Sequence, residues 1–81
     1  MRTTIMKVSI EYCVEWNYFP EASSLAAAIE KKLGITPEYI KSGGGVFEVV
    51  SDGKLIFSKK ATGRFPKHEE IIEKLSRWAG L

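Results

Sequence analysis

The most constraining feature of this chain is Asp52-Gly53. It lies between two β-rich runs, Val46 to Val50 and Leu55 to Phe57, within the linker Ser51-Asp52-Gly53-Lys54. Asp-Gly in that setting predicts a two-residue hairpin, because both central positions of its turn take positive φ. The register follows: Val50 faces Leu55, Val49 faces Ile56 and Glu48 faces Phe57. One face then carries Phe47, Val49 and Ile56, and the other Val46, Val50, Leu55 and Phe57. Only one face can be covered by helices. The other is either covered by loops and edge twist or forms a surface for a homodimer or a partner protein.

The remaining elements fall into place around this hairpin. From Ile5 to Tyr12, apolar Met6, Val8, Ile10 and Tyr12 alternate with polar Lys7, Ser9 and Glu11, the period of a strand with one buried face. Ala22, Leu25, Ala26, Ile29 and Leu33 recur at helical spacing, with Pro20 suited to the first turn and Gly34 to the residue past the end. Ile35 to Lys41 reads as a short strand, in which Pro37 lacks a ladder donor. Gly43-Gly44-Gly45 turns the chain before the hairpin, and a basic loop from Ser58 to Arg64 follows it. Pro66 then opens a second helix, with Glu69 and Glu70 early, Lys74 and Arg77 later, and an apolar stripe of Ile71, Ile72, Leu75, Trp78 and Ala79. The order is β-α-β-β-β-α. A helix-linked strand pair is parallel with a right-handed crossover, and the hairpin adds antiparallel strands. The fold class is α/β: one domain over residues 1–81, with a mixed four-stranded sheet and two helices on one face.

Composition narrows the function classes. A formal charge of +2 is too small to argue for nucleic acid. No run approaches the ~20 apolar residues of a membrane span, so no membrane partner is expected. Met1-Arg2-Thr3-Thr4 runs straight into the first strand and does not read as a signal peptide. The single cysteine excludes an internal disulfide, and small secreted domains usually carry several, so a cytoplasmic location is expected. There is no Cys/His cluster for zinc, and neither a metal nor a bound cofactor is expected. The three glycines lack the strand-loop-helix context and the lysine of a phosphate-binding loop.

That one thiol is well placed. Cys13 follows the first strand and precedes the first helix, where an open α/β sheet holds its ligands and where a helix amino end favours a thiolate. If the first strand points up, the third starts at the top and the fourth ends there. The Gly43–Gly45 turn and the Lys59–Arg64 loop therefore belong at the Cys13 end, with Lys59, Lys60, Arg64 and Lys67 available to favour the thiolate and to attract an anionic thiol such as glutathione. The plain alternative is a small buried residue at a strand end. Glu11 and Glu15 flank the thiol; they oppose its ionisation if close, or pair with the basic loop. His68 is expected to face solvent rather than to act in catalysis. Tyr12 and Phe19 are expected in the core. Trp16 either stands exposed as a contact residue or folds over Cys13.

The residues also carry a family resemblance. Glu11-Tyr12-Cys13-Val14-Glu15-Trp16-Asn17-Tyr18 resembles the active-site loop of the selenoprotein W-like (Rdx) family. So do Gly45-Val46-Phe47-Glu48-Val49, the run Asp52-Gly53-Lys54-Leu55-Ile56-Phe57-Ser58-Lys59-Lys60, and Gly63-Arg64-Phe65-Pro66, in order along nearly the whole chain. The resemblance implies a thioredoxin-like fold and thiol redox chemistry at Cys13. It implies glutathione as cosubstrate, with thiol-containing proteins as the other partners; Lys59, Lys60, Arg64, Gly45 and Val46, at the Cys13 end of the derived topology, are the expected glutathione contacts. Two departures qualify it. The family motif is cysteine, two residues, then selenocysteine or cysteine, and this chain has Trp16 at the second redox position, so a mixed disulfide at Cys13 has no resolving partner within the motif. Thioredoxins also place a cis-proline opposite the active cysteine, and Gly44-Gly45-Val46 has none. Three readings stay open. Cys13 works as a monothiol; the domain has lost redox chemistry and kept a protein-binding role through the Trp16 loop and the open sheet face; or codon 16 is UGA and selenocysteine is native there.

Overall fold

The period-two run is realised as β1 (Val8–Cys13), the strand on which the sheet is built. The computed structural model describes residues 6–78, with the side chains of residues 6–77. Ile5, Ala79 and the side chain of Trp78, which the sequence pattern assigns to the first strand and the last helix, lie outside that description. Val8, Ile10 and Tyr12 are buried on one face of β1, while Ser9 and Glu11 are half-buried on the other.

The first helix, α1 (Phe19–Leu33), buries Ala22, Leu25, Ala26 and Ile29, and Gly34 closes it with its N–H on the Glu30 carbonyl. The chain then returns as β2 (Glu38–Ser42), parallel to β1. This is later than the sequence-based span, because Ile35 packs against the core from the connection and Pro37 is buried before the ladder starts. β3 (Phe47–Ser51) pairs antiparallel with β1 on its other side, and β4 (Lys54–Ser58) pairs with β3. The order across the sheet is β2-β1-β3-β4. A short α2 (Lys59–Thr62) follows β4 directly, and α3 (His68–Trp78) packs beside α1 on the same face of the sheet, burying Ile71 and Leu75. The fold is the mixed α/β sheet expected, with a small extra helix where the sequence pattern indicates a basic loop.

Asp52 and Gly53 adopt φ values of 51° and 80°, the doubly positive turn that their sequence predicts. The ladder beyond them departs from the regular register. Val50 faces Leu55, but Val49 faces Phe57 and Glu48 faces Ser58, so Ile56 is the extra residue of a β-bulge. A regular ladder would hold the Phe57 ring beside Glu48 on the open face. The bulge turns it inward instead, leaving Phe57 3% exposed beside Phe47 and Val49, while Leu55 stays 55% exposed. Burying the larger ring removes more apolar surface from water than burying Ile56 alone. Ile56 remains partly packed against the core, and its carbonyl accepts from Lys74 Nζ at 3.4 Å. The open sheet face is therefore less apolar than a regular hairpin would make it.

Phe19 also departs from its sequence-based place in the core. It opens α1 with 43% of its surface exposed, and its ring meets Tyr12 and Tyr39 at a tilt, with centroid distances of 5.5 and 5.2 Å.

The bulge is testable by truncation. Phe57→Ala is expected to destabilise the domain by about 3–5 kcal/mol and Leu55→Ala by under about 0.5 kcal/mol, both read from urea unfolding. A small loss at Phe57 together with a larger one for Ile56→Ala would mean that the regular register is the correct one.

Candidate functional site

Four strand ends meet at one end of the sheet. Cys13, the last residue of β1, stands opposite Ser42, the last of β2. Tyr12 faces Phe47, the first residue of β3, and Glu48 faces Ser58, the last of β4. The Gly43–Gly45 turn and the Lys59–Lys60 segment thus reach the Cys13 end, as the topology requires.

The backbone grips Cys13 from both sides. Its N–H donates to the Val46 carbonyl at 2.8 Å, and the N–H of Val14 donates to the Ser42 carbonyl at 2.9 Å. The chain then folds back on itself: Asn17 N–H donates to Val14 O and Tyr18 N–H to Cys13 O, both at 3.0 Å. Asn17 makes this possible by taking a φ of 59°, a conformation its side chain tolerates better than most. Within the turn, the Trp16 backbone N–H donates to Cys13 Sγ at 3.4 Å. The donor at the sulfur is thus a turn amide that precedes α1. Cys13 itself is 0% exposed.

Trp16 lies across Gly45. A Cβ on Gly45 would stand 2.9 Å from Trp16 Cζ3, so the indole needs the bare backbone there, and the φ of +74° independently favours glycine. The indole also meets the Tyr18 ring edge-on at 6.1 Å. Its outer surface is free, leaving Trp16 61% exposed. Of the two sequence-based options for Trp16, the exposed one matches: the ring rests on Gly45 and Tyr18 with one side and faces solvent with the other.

The predicted basic residues divide. Lys60 Nζ lies beside Gly44, 4.0 Å from where a Cβ would stand, and Glu15 Oε1 is similarly placed at Gly43, at 3.7 Å. Lys59 Nζ sits over the rings of Tyr18 and Phe65, 5.5 and 5.3 Å from their centroids. Lys60 thus borders the Gly43–Gly45 turn, and Lys59 lies over the Tyr18 ring that ends the turn carrying Trp16. Arg64 has a partner of its own. Its two terminal nitrogens bind the Glu70 carboxylate at 3.0 and 2.9 Å, and its guanidinium stacks over Phe57 at 5.3 Å. Lys67 gives its backbone N–H to Glu70 Oε1 at 3.1 Å and its carbonyl to the Ile71 N–H at 3.2 Å, as the residue capping α3. A surface groove along α3, lined by Arg64, Lys67, Glu70, Glu73, Lys74 and Arg77, does not include Cys13. His68 Nε2 contacts Ser24 Oγ at 3.3 Å and ties α3 to α1, outside the thiol site.

The sequence pattern misses Ser58. Its Oγ accepts the Ala61 N–H at 3.3 Å and donates to Glu48 Oε2 at 3.2 Å, and Gly63 ends the short helix with its N–H on Lys59 O. This capped turn orders Lys59 and Lys60. Serine followed five residues later by glycine is the available signal, although four helical residues are too few to show periodicity. Tyr18 is missed too: it joins the thiol turn through its backbone and supports Lys59 through its ring.

A mixed four-stranded sheet with helices on one face and a cysteine at the β1–α1 turn defines a thioredoxin-like domain. The chain belongs to the Rdx family, whose model matches residues 7–77. It is similar to a selenoprotein W-related protein from Vibrio cholerae, with a TM-score of 0.83, 22% identity and coverage of 94% of this chain and 99% of that one. A protein from Bordetella parapertussis superposes with a TM-score of 0.85 and 19% identity over 93% of this chain and 99% of its own. In sequence the chain is 33% identical over 73 residues to migration and invasion enhancer 1 of Bos taurus, and 32% identical over 71 residues to that of Mus musculus. These matches take in 89% and 86% of this chain but 64% and 62% of the two relatives.

The Arg64–Glu70 pair has a pH signature. The bonds from Arg64 and from the Lys67 backbone hold the Glu70 carboxyl down from 4.5 to about 2. A depressed acid stabilises the fold above its unfolded value near 4.5, and that contribution is lost as the pH falls toward 2. Wild type is expected to melt slightly higher than Glu70→Gln near neutral pH, with the gap closing across that acid range and shrinking in high salt. A gap that persists unchanged at the acid end would remove the ion pair as its cause.

Proposed function

We propose that this domain is a monothiol redox protein that carries glutathione on Cys13. Membership of the Rdx family supports a thioredoxin-like redox role. The observation that carries the finer reading is the Trp16 N–H pointed at the Cys13 sulfur, because such a bond strengthens when the sulfur becomes anionic. The turn between Cys13 and Tyr18 opens and Trp16 leaves Gly45, which exposes the thiol. The Cys13 thiolate attacks the glutathione sulfur of a protein–glutathione mixed disulfide. A Cys13–glutathione disulfide forms, the old S–S bond breaks, and the protein thiolate leaves and takes up a proton. A free glutathione thiolate then attacks the glutathione sulfur on Cys13. Glutathione disulfide departs and the Cys13 thiolate returns, so the electrons come from glutathione and Cys13 is unchanged. This cycle needs no second thiol in the chain, which is what Trp16 at the second redox position demands.

Lys59 and Lys60 suit the carboxylates of glutathione, and the Gly45-Val46 backbone suits its peptide groups once the indole has moved. Arg64 joins them only by releasing Glu70. The chemistry belongs in a reducing compartment, which fits the cytoplasm. Where codon 16 is UGA, the natural residue is selenocysteine and resolution is internal; any other codon leaves the monothiol cycle. The exposed Trp16 and Val14 side chains favour a second reading, a protein-binding module that uses the same turn.

Incubation with oxidised glutathione followed by mass measurement tests the first reading. A single glutathione adduct is expected, absent in Cys13→Ser and formed several-fold more slowly in a Lys59→Ala, Lys60→Ala double variant at low salt. Trp16→Ala is expected to speed the reaction several-fold. Wild type that stays free of adduct, with partner capture that survives Cys13→Ser and fails in Trp16→Ala, would establish the binding module instead.

A further inference from the structure

Among the described residues, β2 is an edge strand whose outer side meets no other strand. Most edge strands are blunted, but this one gathers exposed apolar groups. Tyr39 and Ile40 lie on it, Phe19 packs at a tilt against Tyr39, and Val14 is bonded to its last residue. The backbone directions follow from one bond. The Ser42 carbonyl accepts from Val14, so Ser42 points toward β1. Strand groups alternate in direction, so Ile40 and Glu38 also point toward β1, while the N–H and C=O of Tyr39 and Lys41 point outward.

We infer that β2 is the seam of a homodimer in which two copies pair antiparallel about a two-fold axis through Ile40. This register is the self-complementary one. Tyr39 stands opposite Lys41 of the second copy, and the two residues exchange both of their outward hydrogen bonds, twice over by symmetry. Each Lys41 ammonium then reaches the Tyr39 and Phe19 rings, a cation–π match of charge and aromatic face. Ile40 packs against Ile40 of the second copy on the open face, and Glu38 meets Ser42. An axis through Lys41 would oppose two lysines, and an axis through Tyr39 would bring Pro37, which has no N–H, opposite Lys41. The axis is perpendicular to the sheet, so both helical layers lie on one side and the sheet continues across the seam. Each Cys13 lies at the level of Ser42, past the axis, so the two thiols end far apart at opposite ends of the joined sheet.

Sedimentation equilibrium up to about 1 mM, with and without reductant, tests the seam. The expected result is a concentration-dependent dimer that reductant leaves intact, with amide exchange at Tyr39 and Lys41 slowing as the protein is concentrated. Lys41→Pro removes an outward donor without touching the β1 ladder, and Ile40→Asp sets two carboxylates face to face; both variants are expected to be folded monomers. A monomer at every concentration, a dimer that reductant dissolves, exchange at Tyr39 and Lys41 that ignores concentration, or a dimer unchanged in both variants would each overturn the proposal.

Discussion

The site depends on how β1 ends. Between its neighbours, Cys13 has no freedom of backbone: Val46 accepts its N–H on one side, and the next residue, Val14, is tied to Ser42 on the other. A parallel strand and an antiparallel strand thus close on the same residue. Only a mixed sheet does this, because it brings the end of one neighbour and the start of the other to the same level. The tight turn that follows then has one way to run, and it carries the Trp16 amide back to the sulfur.

From that clamp the chemistry can be built outward. The indole of Trp16 rests on Gly45, where any side chain would displace it, so the turn whose amide meets the thiol is packed on the glycine turn. The two lysines nearest this assembly are positioned by a serine-capped helix and by aromatic rings rather than by carboxylates. Arg64 shows the contrast. Its charge is paired with Glu70 and its plane lies on Phe57, which secures the amino end of α3 against the hairpin. A cation over a ring keeps more of its field for an arriving anion than one locked in a bidentate carboxylate pair.

Most of the architecture was legible in the sequence because its signals are local. Period two in β1, helical spacing from Ala22 to Leu33 and Asp52-Gly53 each act within a few residues, and the strand order follows from connection rules. That the glycine turn and the Lys59–Lys60 segment lie at the Cys13 end of the sheet was legible for the same reason. What escaped was decided by packing. The bulge at Ile56 arises because the core accepts the Phe57 ring, and no pattern within the hairpin records that preference. Phe19 sits outside the core because α1 begins with it at the rim of the sheet, and Arg64 turns away because Glu70, six residues on, is presented from the first turn of α3. The amide that meets the Cys13 sulfur depends on how the Trp16 turn folds, and neither residue's identity determines that.

Cys13 is thus a fully buried thiol whose sulfur meets the amide of a short turn, and the proposed chemistry requires that this turn open while the rest of the domain stays folded. Its labelling by a small neutral thiol reagent, measured across urea concentrations below the unfolding transition, tests this most directly. Local opening exposes little new surface, so the labelling rate is expected to be nearly independent of urea until global unfolding takes over. A rate that climbs from the lowest urea with the full slope of global unfolding would show that Cys13 is reached only when the protein unfolds, and would make it a core residue rather than a redox site.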